Sequence, residues 1–297
     1  MPEPPRTAEP PREVEVTPDL ARGLLRDQHP DLADLPIAHA EDGWDNVMLR
    51  LGDALALRMP RRRAGAALIV TEQTWLPRLA PGLPLPTPAP VRIGAPGRGY
   101  PFGWSVTPWL DGEPSDLAPP GPDQGEALAG FLSALHQPAP PDAPTNRVRG
   151  SVPLGDRAEA FERNLGAAER AHAAVGPTLR RIWTEAAATP VDAPRTWFHG
   201  DLHGRNVLVK DGRFAGVIDW GDMAAGDAAC DLAAVWMLLP DMEARRRAMA
   251  AYGASEATWW RARGWAALMS VMLLAIADNP RMPTMGRAFV ERLAAGP

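Results

Sequence analysis

Short apolar runs separated by turn residues occupy the first third of the chain, and long alanine- and leucine-rich stretches at helical spacing occupy the rest. From Thr17, the segment PDLARGLLRDQHPDL has the polar start and amphipathic spacing of a capped helix. Two short runs, 45–51 and 54–59, flank Gly52-Asp53, residues that tolerate the dihedrals of a tight turn, so they predict a β-hairpin. Residues 65–79 predict a helix, with Leu68, Glu72 and Trp75 on one side. An extended proline linker (Pro84, Pro86, Pro88, Pro90) leads to two more predicted strands, 91–93 and 104–110.

After Asp111-Gly112-Glu113-Pro114 the spacing becomes helical over 124–136, 156–188, 228–251, 255–277 and 284–294. One strand-like stretch, 205–219, interrupts it, turning at Asp211-Gly212. Three segments follow: a proline-rich, disordered tail over 1–13, a small β-rich N-lobe over 14–110, and a large helical C-lobe over 111–297. The class expected is α+β, with no internal repeat.

Composition narrows the function only a little. The 297 residues carry a net charge of −5, which argues against nucleic acid or an anionic membrane surface as partner. The first residues hold no apolar run, so no signal peptide is expected, and no window is apolar enough to span a bilayer. With Cys230 as the single cysteine, an internal disulfide is impossible, and a cytoplasmic location is expected. Lys210 is the only lysine, so any chemistry needing a cation elsewhere falls to arginine.

The chemistry concentrates in Trp197–Ala234, where His199, Asp201, His203, Asp219, Asp222, Asp227 and Asp231 lie among strongly apolar strands. Burying such groups without partners is costly, so a purpose is implied. Phosphoryl transfer to an alcohol needs hard oxygen ligands for magnesium, a carboxylate facing the incoming hydroxyl, and a cation for the phosphates. Asp201 and Asn206 sit five residues apart on one loop, and the following hairpin returns the chain to Asp219. A zinc site at His199 and His203 is disfavoured by the flanking glycines and by the lack of a third ligand.

HGDLHGRNVL, followed by IDWGD and GDAACDLA, closely resembles the aminoglycoside phosphotransferase family, from about Gly43 to the C-terminal helices. The resemblance implies a protein-kinase-like bilobal fold and transfer of the γ-phosphate of ATP or GTP, with Mg2+. It implies Asp201 as catalytic base, Asn206 and Asp219 as metal ligands, His199 as scaffold of the catalytic loop, and Asp231 as a brace hydrogen-bonding that loop. Asp222 is a candidate for contact with substrate, or a structural residue.

The N-lobe departs from the kinase pattern. Arg58 stands where a strand lysine is expected, with Glu72 following as its helix partner. Arginine can bind two phosphate oxygens, so the exchange is chemically reasonable. Instead of a glycine-rich run, the phosphate loop is Glu41-Asp42-Gly43-Trp44-Asp45-Asn46, and there is no P-loop. The segment WSVTPWLDGEP resembles the linker that reads adenine. Pro108 has no N–H, so Trp109 or Leu110 is the expected donor.

Arg61-Arg62-Arg63 is expected as a solvated loop, Asp227 as a cap or brace, Cys230 as packing, and the C-lobe tryptophans as core or pocket wall. The expected acceptor is a hydroxyl of an antibiotic. An aminoglycoside comes first, helped by Asp156, Glu162, Asp222 and Asp227, and a macrolide is the bulkier option. The alternatives are a metabolic alcohol such as choline, homoserine or a sugar, and a pseudokinase that binds nucleotide without turnover.

Overall fold

The computed structural model describes residues 10–172 and 175–296, and the chain divides into two units between Asp111 and Gly112. The N-lobe opens with α1 (Pro18–Gln28), whose first turn is closed by the Thr17 hydroxyl accepting from the Leu20 N–H at 3.2 Å. Its apolar face buries Leu24 and Leu25. The strands β1 (Ile37–Asp42), β2 (Asn46–Leu51) and β3 (Leu55–Pro60) follow. β2 and β3 form the expected hairpin, Gly52 taking φ 60° at its turn. Then come α2 (Arg63–Leu79), β4 (Arg92–Gly94) and β5 (Trp104–Pro108). The sheet is antiparallel throughout, in the order β1-β2-β3-β5-β4.

Alternation along β2 and β3 sends Val47, Leu49, Leu51, Leu57 and Met59 into a core shared with Leu24, Leu25, Trp104 and Val106. The opposite face of β3 presents Arg58. Strand β1 was not expected, because its burial pattern is almost wholly open to solvent and carries no apolar signal. Only residues 10–13 of the expected tail are described, and they are held in place. Pro10 accepts from Arg61, Arg12 pairs with Asp42, and the Glu13 carboxylate accepts from the Arg63 N–H. Residues 1–9 of that expectation lie outside the described residues.

The C-lobe begins with β6 (Glu113–Pro114), α3 (Gly125–Leu135), α4 (Ala158–Ala171) and α5 (Gly176–Ala187). The 156–188 stretch, read as continuously helical, is therefore interrupted after Ala171. Short strand β7 (Thr196–Phe198) leads into the hairpin β8 (Val207–Lys210) and β9 (Arg213–Val217), whose turn holds Asp211 and Gly212 at positive φ. β10 (Ala224–Gly226) pairs with β7, and neither strand was expected at three residues each.

The 228–251 stretch is split into α6 (Ala229–Leu232), α7 (Ala234–Leu238) and α8 (Met242–Tyr252). Pro240, lacking an N–H, precedes the last of these. α9 (Glu256–Leu274) is capped by Ser255 and runs buried through the lobe, with α10 (Arg281–Ala295) against it. Trp183, Trp236, Trp259, Trp265 and Cys230 are all buried, as expected of core. Among the described residues no helix is long and apolar enough to cross a membrane.

Candidate active site

The loop between β7 and β8 is set by two buried carboxylate bonds. Asp231 on α6 is fully buried, and its two oxygens accept the backbone N–H groups of His199 (2.6 Å) and Gly200 (2.8 Å). Gly200 adopts φ 89°, a conformation other residues rarely take, with the Asp222 carbonyl packed close by. His199 is locked from both sides. Nδ1 accepts the Asp201 N–H at 3.2 Å, so Nε2 carries the proton and donates to the Ile218 carbonyl at 3.0 Å.

Those bonds aim Asp201 at the head of the loop. Asn206 Nδ2 donates to the Asp201 carbonyl (2.9 Å) and to its Oδ2 (3.0 Å), while His203 Nε2 lies 3.3 Å from the same oxygen. Arg149 Nη2 donates to Oδ1 at 2.9 Å. Burial alone would raise the pKa of Asp201. His203 and Arg149 outweigh it and hold the carboxyl well below the usual carboxylate range. Asp201 is thus ionised and oriented, the state a proton acceptor needs.

Asp219 follows β9, and Ile218 ties it to the loop, since the Ile218 N–H donates to the Asn206 carbonyl at 2.9 Å. Asp219 itself takes φ 61° and is exposed. Left-handed backbone in a non-glycine residue is strained and concentrates at working sites. The donor set suits magnesium: a carboxylate on Asp219, and on Asn206 an amide whose nitrogen is spent on Asp201, leaving Oδ1 as its hard oxygen. Among the described residues no group of three or more His, Cys, Asp or Glu forms a metal cage. Magnesium held largely by phosphates and water does not require one.

Asp222 is engaged by this lobe's own side chains. Its Oδ2 accepts from Arg149 Nη2 (2.9 Å) and Nε (3.2 Å), and its Oδ1 accepts from Asn146 (2.9 Å). Burial lowers the Arg149 pKa, but Asp222 and Asp201 more than reverse this, so the guanidinium stays charged. Arg149 and Asn146 were not singled out from the sequence. They lie in an irregular, proline-rich loop, and no local spacing links Arg149 to an aspartate 52 residues away.

Behind the loop, His136 Nε2 lies 3.4 Å from Asp231 Oδ2 and its Nδ1 2.8 Å from the Tyr252 hydroxyl, a buried polar chain that was likewise not foreseen. Asp227 acts as a brace, accepting from the Ala229 N–H and from Arg261. Glu162, one of the expected acidic helpers, is paired with Arg180.

In the N-lobe, Arg58 and Glu72 are joined by two hydrogen bonds, 2.8 and 2.7 Å. Gly43 donates to the Asn46 carbonyl at 2.8 Å, and its own carbonyl accepts from Arg61 at 3.1 Å. Arg61 is only 2% exposed, which corrects its reading as a solvated side chain. It extends the β3 ladder by one bond to Asp45 and turns inward to hold the phosphate-loop candidate. The N–H of Trp109, one of the two expected base-reading donors, is engaged by the Ala54 carbonyl at 2.8 Å.

A model of the phosphotransferase enzyme family matches residues 36–267. No curated protein matches the chain in sequence. Among solved structures, the GDP and kanamycin complex of APH(2")-IIIa is 17% identical, covering 93% of this chain and 98% of that one at a TM-score of 0.62. The apoenzyme of macrolide 2'-phosphotransferase MphH from Brachybacterium faecium is 22% identical, with 86% and 90% covered and a TM-score of 0.59. The streptomycin-ATP complex of APH(2")-IIa is 15% identical, with 88% and 91% covered and a TM-score of 0.58. At these identities the structures establish a shared fold.

Proposed function

We propose, from the premise that this chain belongs to the phosphotransferase enzyme family, that it is a small-molecule kinase moving the γ-phosphoryl group of ATP or GTP onto a hydroxyl of an antibiotic, and so confers resistance. The observation that carries this reading is Asp201, an ionised carboxylate fixed by Asn206 and Arg149 in a loop clamped to Asp231.

In the proposed reaction Asp201 orients the acceptor hydroxyl and takes its proton as the oxygen bonds to the γ-phosphorus. The bond from that phosphorus to the bridging β–γ oxygen breaks, and the nucleoside diphosphate leaves. Asn206 Oδ1 and Asp219 would hold magnesium, which neutralises charge on the phosphates when bound. Arg58, fixed by Glu72, is the cation for the α- and β-phosphates, and Gly43 lies in the loop whose backbone meets them. Leu110 reads the base through its backbone. Residues 14–110 are the nucleotide-binding part and 111–297 the catalytic and acceptor part. The protein works in the cytoplasm, without nucleic acid or membrane as partner.

The intact Arg58–Glu72 fork supports a working kinase over a pseudokinase, because a permanently charged arginine oriented in this way can take the lysine's place. The test is consumption of ATP and GTP with magnesium across aminoglycosides, macrolides and small metabolic alcohols. Acceptor-dependent turnover giving a product heavier by one phosphate is expected. Nucleotide binding with no transfer to any acceptor would overturn the reading.

A further inference from the structure

The phosphate-loop candidate, residues 41–46, carries carboxylates on Glu41, Asp42 and Asp45. Carboxylates repel a polyphosphate, so a loop that meets one needs its negative charge cancelled. Two arginines from outside the loop do this. Arg12 Nη2 donates to Asp42 Oδ2, and Arg62 Nε donates to Asp45 Oδ1. Asp42 is not relieved by a proton. His39 first, then Arg12 and Arg61, hold its carboxyl below the usual range against partial burial.

Arg12 is half-exposed, and an isolated surface arginine would pay entropy to hold one position. Here the backbone on either side of it is fixed. Arg61 Nη2 donates to the Pro10 carbonyl at 3.1 Å, and the N–H groups of Glu13 and Val14 donate to the Arg61 carbonyl at 2.9 and 3.2 Å. The Glu13 carboxylate accepts the Arg63 N–H at 3.0 Å. The same buried Arg61 holds the loop, giving Nη1 to the Gly43 carbonyl at 3.1 Å and its N–H to the Asp45 carbonyl at 2.8 Å. Arg61 thus ties residues 10–14 to the loop and delivers Arg12 to Asp42.

We infer that Arg12 and Arg62 are positioning residues of the nucleotide site, which act through Asp42 and Asp45 by cancelling their charge so that the loop can receive a polyphosphate. Residues 10–14 are accordingly part of the nucleotide-binding machinery. This inference rests on the kinase reading, in which residues 41–46 meet the phosphates.

The full chain is titrated calorimetrically with non-hydrolysable analogues of ATP and GTP in the presence of magnesium, and with adenosine and guanosine by displacement, at about 0.05 M and about 0.5 M salt. At the lower salt Arg12→Ala is expected to weaken the tighter triphosphate analogue about three- to tenfold, and its nucleoside less than about twofold. The triphosphate loss shrinks at the higher salt, because the lost term is electrostatic. Arg12→Lys, which keeps the charge, binds as the parent does. Asp42→Asn added to Arg12→Ala restores the affinity to within about twofold of the parent. Arg62→Ala, alone and with Asp45→Asn, repeats the comparison at the second pair. Thermal unfolding of each variant separates lost binding from lost fold. An Arg12→Ala protein that binds the triphosphate as the parent does, that loses nucleoside and triphosphate equally, or that Asp42→Asn does not rescue overturns the inference. A parent that binds neither triphosphate takes away the kinase reading, and the inference with it.

Discussion

Arg58 on β3 and Glu72 on α2 meet in a two-bond fork, Nε to Oε2 at 2.8 Å and Nη2 to Oε1 at 2.7 Å, with side chains only 11% and 5% exposed. A buried pair of this kind punishes loss of one partner more than loss of both, because the survivor keeps an unpaired charge. Arg58→Ala is expected to cost about 3–5 kcal/mol of stability. The double change Arg58→Met with Glu72→Leu should cost much less, although nucleotide KM rises in both. Chemical denaturation of the parent, Arg58→Met, Glu72→Leu and the double variant closes the cycle that gives the coupling, and a coupling energy near zero would break the pairing.

Asp201→Asn keeps the size of the side chain and removes the proton acceptor. The expected loss in kcat is roughly 100- to 10,000-fold, the usual share of a positioned general base. Affinity for the nucleotide, measured by calorimetry, should stay within about twofold. Turnover near that of the wild type would take the base assignment away from Asp201.

At Asp219 the backbone sits at φ 61°, a region asparagine also tolerates. Asp219→Asn should therefore fold with stability within about 0.5 kcal/mol of the parent, while losing magnesium-dependent transfer. Asp219→Ala should lose stability as well, since alanine resists positive φ. Comparing the two melting curves with the magnesium dependence of the rate tests both parts of the claim.

Asp231 accepts two backbone N–H groups while fully buried. Asp231→Ala leaves both donors unsatisfied and should cost about 3–5 kcal/mol, with the rate falling even where the protein remains folded. Its neighbour Tyr252, whose hydroxyl burial and the charges of Asp231 and Asp227 push up to about 12, stays neutral throughout the working range. Tyr252→Phe should give a smaller loss of about 1 kcal/mol, read from the denaturation midpoint.

Acid should weaken the α9 cap. Bonds from Ser255, Thr258 and Arg261 hold the Asp192 carboxyl down to about 2 against burial. A depressed carboxylate pKa gives stability that is complete above the unfolded value of about 4 and is lost as pH falls through the folded value. The melting temperatures of the parent and Asp192→Asn should differ at neutral pH and converge between about pH 4 and pH 2. A gap that stays constant through that window would count against the assignment.

Much was legible in the linear chain because its causes are local. Gly52-Asp53 and Asp211-Gly212 encode their own turns, Thr17 and Ser255 cap their own helices, and polar residues beside the apolar runs of β8 and β9 announce a buried site. Asp201, Asn206 and Asp219 could be singled out because one loop and one hairpin bring them together. That the Trp109 N–H is given to the Ala54 carbonyl, by contrast, could be seen only in the folded chain.

Tertiary structure decided what depends on distant partners. β1 is a strand because β2 lends it a ladder, not because its own side chains ask for one. Arg61 is buried with the carbonyls of Gly43 and Pro10 as partners, while Arg62 pairs with Asp45 and Arg63 stays exposed. Arg149, set in an irregular loop, becomes part of the site because the fold carries it to Asp201 and Asp222. Sequence determined the chemistry through residue type and short spacing. Folding determined the company each charge keeps, because a hydrogen bond is sensitive to ångströms in space and indifferent to separation along the chain.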